Sequence, residues 1–174
     1  EMVIFNRCSL DMDLQMYRRS VKAVNPQAML AFEDPEGEPL ELGKEQPPYD
    51  LNADVIEIED TDFGLWYLDA MDTPERYNGK TVKFKGKVMI PKKFPANTFI
   101  PGRNAMTCCE NDIRFIGYMC KSKFTDKLQQ KQWLEITAEV RYENVPEYGG
   151  EGPVLYAKHL KSAEPPASDL VYFN

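Results

Sequence analysis

Two segments of the chain alternate apolar and polar residues with a period of two, the pattern of half-buried β-strands. They cover residues 81–90 and 133–142, and in the first of them lysines occupy most of the polar face. Gly86 lies on the apolar face of the first segment, where it indicates a bend or bulge. The residues predicted to point inward are Val82, Phe84, Val88, Leu134, Ile136, Ala138 and Val140.

A helix precedes these strands. Its apolar residues recur at the i, i+3, i+4, i+7 spacing of one helical stripe, and Asp60-Thr61-Asp62 supplies oxygens that can cap its first turn. We expect Asn78-Gly79 to end the helix, because glycine readily adopts the left-handed conformation of a helix C-terminus. The residues of the stripe are Phe63, Trp66, Tyr67, Ala70 and Met71.

Three further segments, residues 103–108, 113–120 and 154–161, resemble strands, and the first two are predicted to form a hairpin. Five strands after a helix match the element count of a small barrel of the oligonucleotide/oligosaccharide-binding (OB) type. We therefore predict a mostly β protein with some α structure, of the α+β class, with an OB-like barrel domain over residues 54–174.

Residues 1–50 are predicted to form an N-terminal α/β extension and a linker. A strand is expected at residues 2–7, a helix at 11–23 and a second strand at 27–32. The remainder, up to residue 50, contains Pro and Gly too often for regular structure.

The net charge of −7, from 28 acidic and 21 basic residues, makes the chain as a whole repel a phosphate backbone. Nucleic acid is therefore not an expected partner. No apolar run approaches the roughly 18 residues of a transmembrane helix, so this part is expected to be soluble. Because the chain begins at Glu1 rather than Met, we expect that a tag, a signal or an N-terminal membrane segment has been removed before these residues.

Several segments in register resemble a known bacterial family. The resemblance covers about residues 54–174, and the arginine, paired-cysteine and aspartate segment is its most specific part. The segments are residues 77–82, 94–99, 102–103, 106–109, Asp112, Gly117, Trp133 and 171–173. On these residues the chain resembles the C-terminal domain of the YcgQ-like permease subunits.

The resemblance implies a context rather than a reaction. Members of that family carry hydrophobic membrane segments and accompany a separate permease, so it implies a membrane permease subunit as partner. It also implies membrane association through a segment absent from this chain, with either side of the membrane open, the extracytoplasmic side included. We accordingly expect a non-enzymatic accessory or ligand-binding domain.

One cluster of residues has a chemical signature. Cys108, Cys109 and Asp112 are of the types that bind zinc, and Cys120 or His159 could complete the ligand set. Two alternatives stay open: the cysteines are core and turn residues, or they form a strained, easily reduced disulfide. Arg103 is predicted to lie near Asp112, either as its ion-pair partner or as a ligand-binding residue.

A lysine stripe is the basis for a third hypothesis, a module that binds single-stranded nucleic acid through Lys83, Lys85 and Lys87. The simpler interpretation is a solvated strand face, since lysines there also discourage edge pairing. His159 is the sole histidine and has no nucleophile placed beside it by the sequence, so no catalytic triad is predicted. We expect that the chain is not an enzyme.

Overall fold

The structure is a computed structural model of the 174-residue chain, and it describes residues 46–106 and 109–173. The helices in this part are α1 (Phe63–Asp72) and α2 (Pro74–Tyr77). The strands are β1 (Val55–Glu57), β2 (Thr81–Met89), β3 (Thr98–Ala105), β4 (Arg114–Gly117), β5 (Cys120–Lys121), β6 (Trp133–Val145), β7 (Gly150–Ser162) and β8 (Leu170–Val171). Short 3-10 turns are Glu110–Asp112, Thr125–Lys127 and Pro146–Tyr148.

Residues 47–143 and 151–174 form one compact unit. Residues Asn144–Gly150 lie outside this unit. The strand, helix and strand predicted for residues 2–32 lie outside the described residues, as does most of the predicted linker. The class is α+β, because one large sheet dominates and short helices accompany it.

All eight strands of the described residues belong to one sheet, in which seven follow the order β1-β2-β6-β7-β5-β3-β4 and β8 pairs with β3 beside this path. β2 pairs with β6 along most of its length and also with β3 near its end, both antiparallel. β5 pairs with β3 on one side and, in parallel, with β7 on the other. The pairings therefore lead from β2 through β6, β7, β5 and β3 back to β2.

Gly86 lies where β2 passes from β6 to β3. A Cβ at this position would lie 3.1 Å from the backbone nitrogen of Gly102, closer than side chains normally approach a backbone. The pairing of β2 with β6 includes Gly86, and its pairing with β3 begins at Lys87. Because glycine has no Cβ, the two strands can approach closely at the position where the sequence predicts a bend.

The core confirms the predicted inward faces of the two alternating strands. All seven residues predicted to point inward have relative exposures of 3% or less. The apolar stripe of α1 packs on this face, with the ring of Trp66 centred 4.9 Å from that of Phe84. On the other side of the stripe Tyr67 stacks on Tyr118 at 4.7 Å. Aromatic pairs at such distances are stabilising beyond the area that they bury.

Several predicted boundaries were wrong. The helix ends at Asp72 rather than at Asn78-Gly79, because Pro74 cannot continue the backbone hydrogen bonds of α1 and instead starts α2. Gly79 does adopt a left-handed φ of 78°, but at the turn that follows α2. Asp62 is the N-cap residue of α1, yet its side chain makes no capping hydrogen bond.

The predicted strand 113–120 is two strands, β4 and β5, because the chain leaves the sheet at Tyr118-Met119. The strand predicted at 103–108 begins earlier, at Thr98, and ends at Ala105. β3 and β4 nevertheless pair antiparallel, as the predicted hairpin requires.

Candidate ligand site

Arg103 on β3 is the most buried charged side chain of the described residues, with a relative exposure of 1%. Its Nη1 donates a hydrogen bond to Asp60 Oδ1 at 2.8 Å, and its Nη2 donates one to the carbonyl oxygen of Ser168, also at 2.8 Å. The guanidinium lies 5.1 Å from the ring centroid of Trp133, within the range of a cation–π contact. Arg103 is thus held from three different parts of the chain.

The sheet brings these partners together. The parallel pairing of β1 with β2 continues into a hydrogen bond from the Ile58 amide to the Lys83 carbonyl oxygen, which places Asp60 just beyond the end of β1. Lys87 on β2 pairs with Trp133 on β6 and with Gly102 on β3, so three strands converge beside Arg103.

A second ion pair lies in the same region. Asp169, just before β8, accepts hydrogen bonds at Oδ2 from Lys87 Nζ and, at 3.0 Å, from Asn104 Nδ2. Lys87 Nζ also lies 5.4 Å from the ring centroid of Trp133. We call the whole group the Arg103 cluster. Its members are Asp60, Lys87, Arg103, Asn104, Trp133 and Asp169.

The Arg103 cluster leaves polar atoms without partners. Arg103 Nε and Asp169 Oδ1 are both buried and have no hydrogen-bond partner among the described residues. A buried polar atom without a partner costs about 1–3 kcal/mol, because it has lost its hydrogen bonds to water. The charges of the cluster balance, because Arg103 and Lys87 pair with Asp60 and Asp169. Its hydrogen bonds are incomplete, because two of its polar atoms have no partner among the described residues.

The partner of Arg103 is therefore a carboxylate that the sequence analysis did not select. Asp112 belongs to the 3-10 turn Glu110–Asp112, where its amide donates to the carbonyl oxygen of Cys109 at 3.0 Å. This confirms the turn expected at these residues. That Arg103 also approaches Asp112 stays a prediction.

The cysteine segment is described in part. Cys108 lies outside the described residues, and Cys109 is an exposed free thiol at the start of the turn. Cys120 is fully buried on β5, and burial raises the pKa of its thiol, which disfavours the thiolate that zinc binds. His159 is exposed on β7. Within residues 46–106 and 109–173, no three His, Cys, Asp or Glu side chains are arranged to hold a metal ion.

The lysine stripe of β2 is interleaved with carboxylates. Lys83 Nζ lies 3.3 Å from Glu57 Oε1 and 3.9 Å from Glu135 Oε1. Lys85 is the cross-strand partner of Glu135, and Lys87 binds Asp169. A phosphate backbone would have to compete with these carboxylates for the lysines.

A second cluster of polar side chains lies at the surface of β5, β6 and β7. Glu143 accepts a hydrogen bond from the Tyr156 hydroxyl at Oε1 and one from Lys121 Nζ, at 2.9 Å, at Oε2. The Arg141 guanidinium lies 4.2 Å from the ring centroid of Tyr156. These hydrogen bonds from Tyr156 and Lys121 lower the pKa of Glu143, and the bond to Glu143 raises the pKa of Lys121. The Glu143 cluster consists of Lys121, Arg141, Glu143 and Tyr156.

Sequence reasoning selected Arg103 and Lys87 but missed the other members of the Arg103 cluster as site residues. The local pattern predicts a capping role for Asp60 and a strand position for Trp133, and it indicates no role for Asn104 or Asp169. No local spacing connects these positions, since Arg103 and Asp60 are 43 residues apart and Asn104 and Asp169 are 65 apart. The one charged residue of β3, Arg103, was the available signal.

The fold and the Arg103 cluster define a mostly β domain of the α+β class with a charge-balanced polar cluster around the buried Arg103, at the convergence of three strands. The chain belongs to the family of the DUF1980 C-terminal domain, which matches residues 41–173. No curated protein sequence matches the chain. No helix within the described residues has the length and apolar character needed to cross a membrane.

Among solved structures, the chain is similar to an aspartyl-tRNA synthetase from Entamoeba histolytica, at 13% identity and a TM-score of 0.32, over 52% of this chain and 20% of that protein. It is also similar to an inferred aspartyl-tRNA synthetase from Leishmania major Friedlin, at 11% identity and a TM-score of 0.37, over 72% of this chain and 22% of that protein. The chain thus spans about a fifth of their length. These scores are too low to carry an argument.

Proposed function

We propose that this chain is a non-enzymatic, ligand-binding accessory domain of a bacterial membrane permease system, built on an OB-like barrel. The observation that carries the ligand-binding role is the Arg103 cluster, in which a side chain 1% exposed and a neighbouring carboxylate both keep an unpartnered polar atom. A buried polar atom without a partner in a native protein calls for an explanation, and a functional role is one such explanation.

The order of strand pairing supports the barrel. An OB-type barrel is a five-stranded Greek-key sheet that closes or nearly closes on itself. The cycle of pairings β2-β6-β7-β5-β3-β2 has five members, and the parallel pair β5–β7 completes it. The close approach at Gly86 supplies the bend that lets β2 pair with both β6 and β3.

The permease partner rests on the resemblance to YcgQ-like subunits, and co-purification tests it. The full-length protein carrying this domain is expressed with a tag, together with the proposed permease subunit, and both are extracted in detergent. We expect the permease subunit to co-purify with the intact protein and to be lost when residues 54–174 are removed. Retention of the permease subunit after this removal would contradict an accessory role for the domain.

A zinc-binding function is the second candidate, favoured by the turn in which the Asp112 backbone bonds that of Cys109, whose thiol is exposed. Protein purified without chelator should then contain about one equivalent of zinc, and Cys109→Ser should lose it, because the thiolate is the strongest ligand available there. Cys120→Ser, at a buried position, serves as the control that keeps the metal. Metal-free protein whose thermal stability does not change on adding zinc would exclude this function.

We do not propose nucleic-acid binding, because Lys83 and Lys87 already contact carboxylates. The measurement is fluorescence anisotropy of a labelled single-stranded oligonucleotide at low and moderate salt, and we expect no binding. Binding that weakens steeply with salt and is lost in Lys83→Gln would reverse this view.

A further inference from the structure

The donors of the Arg103 cluster already bind a carboxylate, and the chain itself supplies it. Lys87 from β2 and Asn104 from β3 both donate to one oxygen of Asp169, which lies more than 60 residues further along the chain. An ammonium and an amide that converge on one oxygen are the kind of donors that recognise a carboxylate group. The group now bound, the carboxylate of Asp169, therefore indicates the class of ligand that the site can bind.

The occupant fits incompletely. Among the described residues, Asp169 Oδ1 and Arg103 Nε are both buried without a hydrogen-bond partner. A carboxylate that matched the site would use both of its oxygens, as an arginine fork and a carboxylate do when they pair side by side. Asp169 is anchored through its own backbone and does not achieve this.

The side chain of Asp169 can leave the site while β8, which follows it, stays paired. The side chain of Asp169 is 40% exposed, whereas that of Lys87 is 19% exposed and that of Arg103 is 1% exposed. Rotation about the side-chain bonds of Asp169 would bring its carboxylate into solvent, while β8 keeps its pairing with β3. The exposed carboxylate then regains its hydration, which offsets part of the lost ion pair.

We propose that Lys87 and Asn104, beside the buried Arg103, form a binding site for the carboxylate of a small organic acid, and that Asp169 occupies this site as an internal competitor. The inference deepens the proposed ligand-binding function and rests on it. Because Asp60 already neutralises Arg103, departure of Asp169 leaves one net positive charge, from Lys87. A monoanionic carboxylate restores the balance, whereas a phosphate dianion would add excess negative charge beside Asp60.

Trp133 makes the site observable. The chain has two tryptophans: Trp133 lies against both Lys87 and Arg103, and Trp66 is fully buried in the aromatic core. In a ¹H–¹⁵N spectrum of the whole chain, the indole signal of Trp133 reports on the site, and that of Trp66 is an internal control for the fold. The probes are sodium acetate and sodium phosphate, each added at constant ionic strength.

Removal of the competitor should strengthen binding. We expect acetate to shift the Trp133 signal saturably, with a dissociation constant about tenfold lower in Asp169→Ala than in Glu164→Ala, since one charge-assisted hydrogen bond is worth about that factor. Glu164→Ala is the matched control, because Glu164 is an exposed acid of the same C-terminal segment. In Asp169→Ala, the further change Lys87→Gln should abolish the response.

Each result decides the proposal. Equal responses to acetate in Asp169→Ala and Glu164→Ala, or none in either, would overturn it, and a phosphate response as strong as that to acetate would overturn the assignment to carboxylates. Should the Trp66 signal show that Asp169→Ala does not fold, Asp169→Ser replaces it and the same criteria apply. The titration requires no permease, so its failure would leave the co-purification result untouched, and the reverse also holds.

Discussion

The two polar clusters of this domain use the same kinds of group to different effect. In the Glu143 cluster both carboxylate oxygens of Glu143 accept a hydrogen bond, from Tyr156 and from Lys121, and the group lies at the surface. In the Arg103 cluster one oxygen of Asp169 accepts hydrogen bonds, while the other is buried with no partner in the described part of the chain. The carboxylate of the Glu143 cluster therefore uses both oxygens, whereas that of Asp169 uses one.

The difference separates two roles for charged side chains. A satisfied ion pair at the surface holds neighbouring strands together at little cost and with little gain, because solvent screens it. In the Arg103 cluster each buried atom without a partner costs free energy in the free protein, and that atom stays available to a ligand. Substitutions in the two clusters test whether their contributions to stability differ.

The largest effect is expected on removing the buried guanidinium. Arg103→Met should lower the free energy of unfolding by about 3 kcal/mol, because Asp60 and the Ser168 carbonyl oxygen lose charge-assisted hydrogen bonds. Urea denaturation measures this, with Arg114→Met, at an exposed position, as the control. A loss below about 0.5 kcal/mol, the range of neutral surface substitutions, would show that Arg103 contributes no net stability.

A smaller effect is expected where the C-terminal segment contacts α1. A Cβ at Gly64 would lie 2.1 Å from the carbonyl oxygen of Tyr172, so Gly64→Ala must displace the segment that carries Asp169. We expect a loss of about 2 kcal/mol, typical of overpacking, together with faster hydrogen exchange at the Met106 amide, which donates to Val171.

Gly79→Ala is the control for this change, because a Cβ at Gly79 meets no atom within 4 Å although its φ is 78°. It should lower stability through backbone strain alone and leave exchange at Met106 unchanged. Slow exchange at Met106 in Gly64→Ala would mean that α1 moves and the segment does not.

The surface cluster should contribute less. Glu143→Gln removes the negative charge that Lys121 and Tyr156 contact, and we expect it to lower the free energy of unfolding by less than about 1 kcal/mol, as for other exposed ion pairs. Glu164→Gln is the control. A loss as large as that of Arg103→Met would remove the distinction between the clusters.

The contribution of Glu143 should also depend on pH. The pKa of Glu143 is lowered in the folded protein, first by its hydrogen bond from Tyr156 and then by that from Lys121. Its stabilising effect is therefore complete above the ordinary glutamate pKa of about 4.3 and is lost as the pH falls through the lower folded value.

The measurement is the difference in urea midpoint between the wild type and Glu143→Gln, from neutral pH down to about pH 3, below the ordinary glutamate pKa. We expect the difference to shrink towards the acid end. A difference that stays constant throughout would mean that Glu143 acts through packing and not through its charge.

The sequence by itself determined the elements whose pattern is local. Alternation identified β2 and β6 and their inward faces, helical spacing identified α1, and Gly86 indicated the bend, because each of these signals depends on neighbours within a few residues. Pro74 was also readable as the end of α1, since its ring excludes the helical hydrogen bond. The expectation of the Glu110–Asp112 turn rested on the same kind of local chemistry.

Only the tertiary structure decided which polar groups meet. Asp60, Ser168 and Asp169 reach Arg103 and its neighbours because β1 and β8 join the sheet in parallel, a pairing that joins residues far apart in sequence. A strand pattern states which face a side chain occupies, but it does not state which strand lies beside it. The identity of the Arg103 partner, and with it the candidate site, therefore depends on strand order and register, which are properties of the whole sheet.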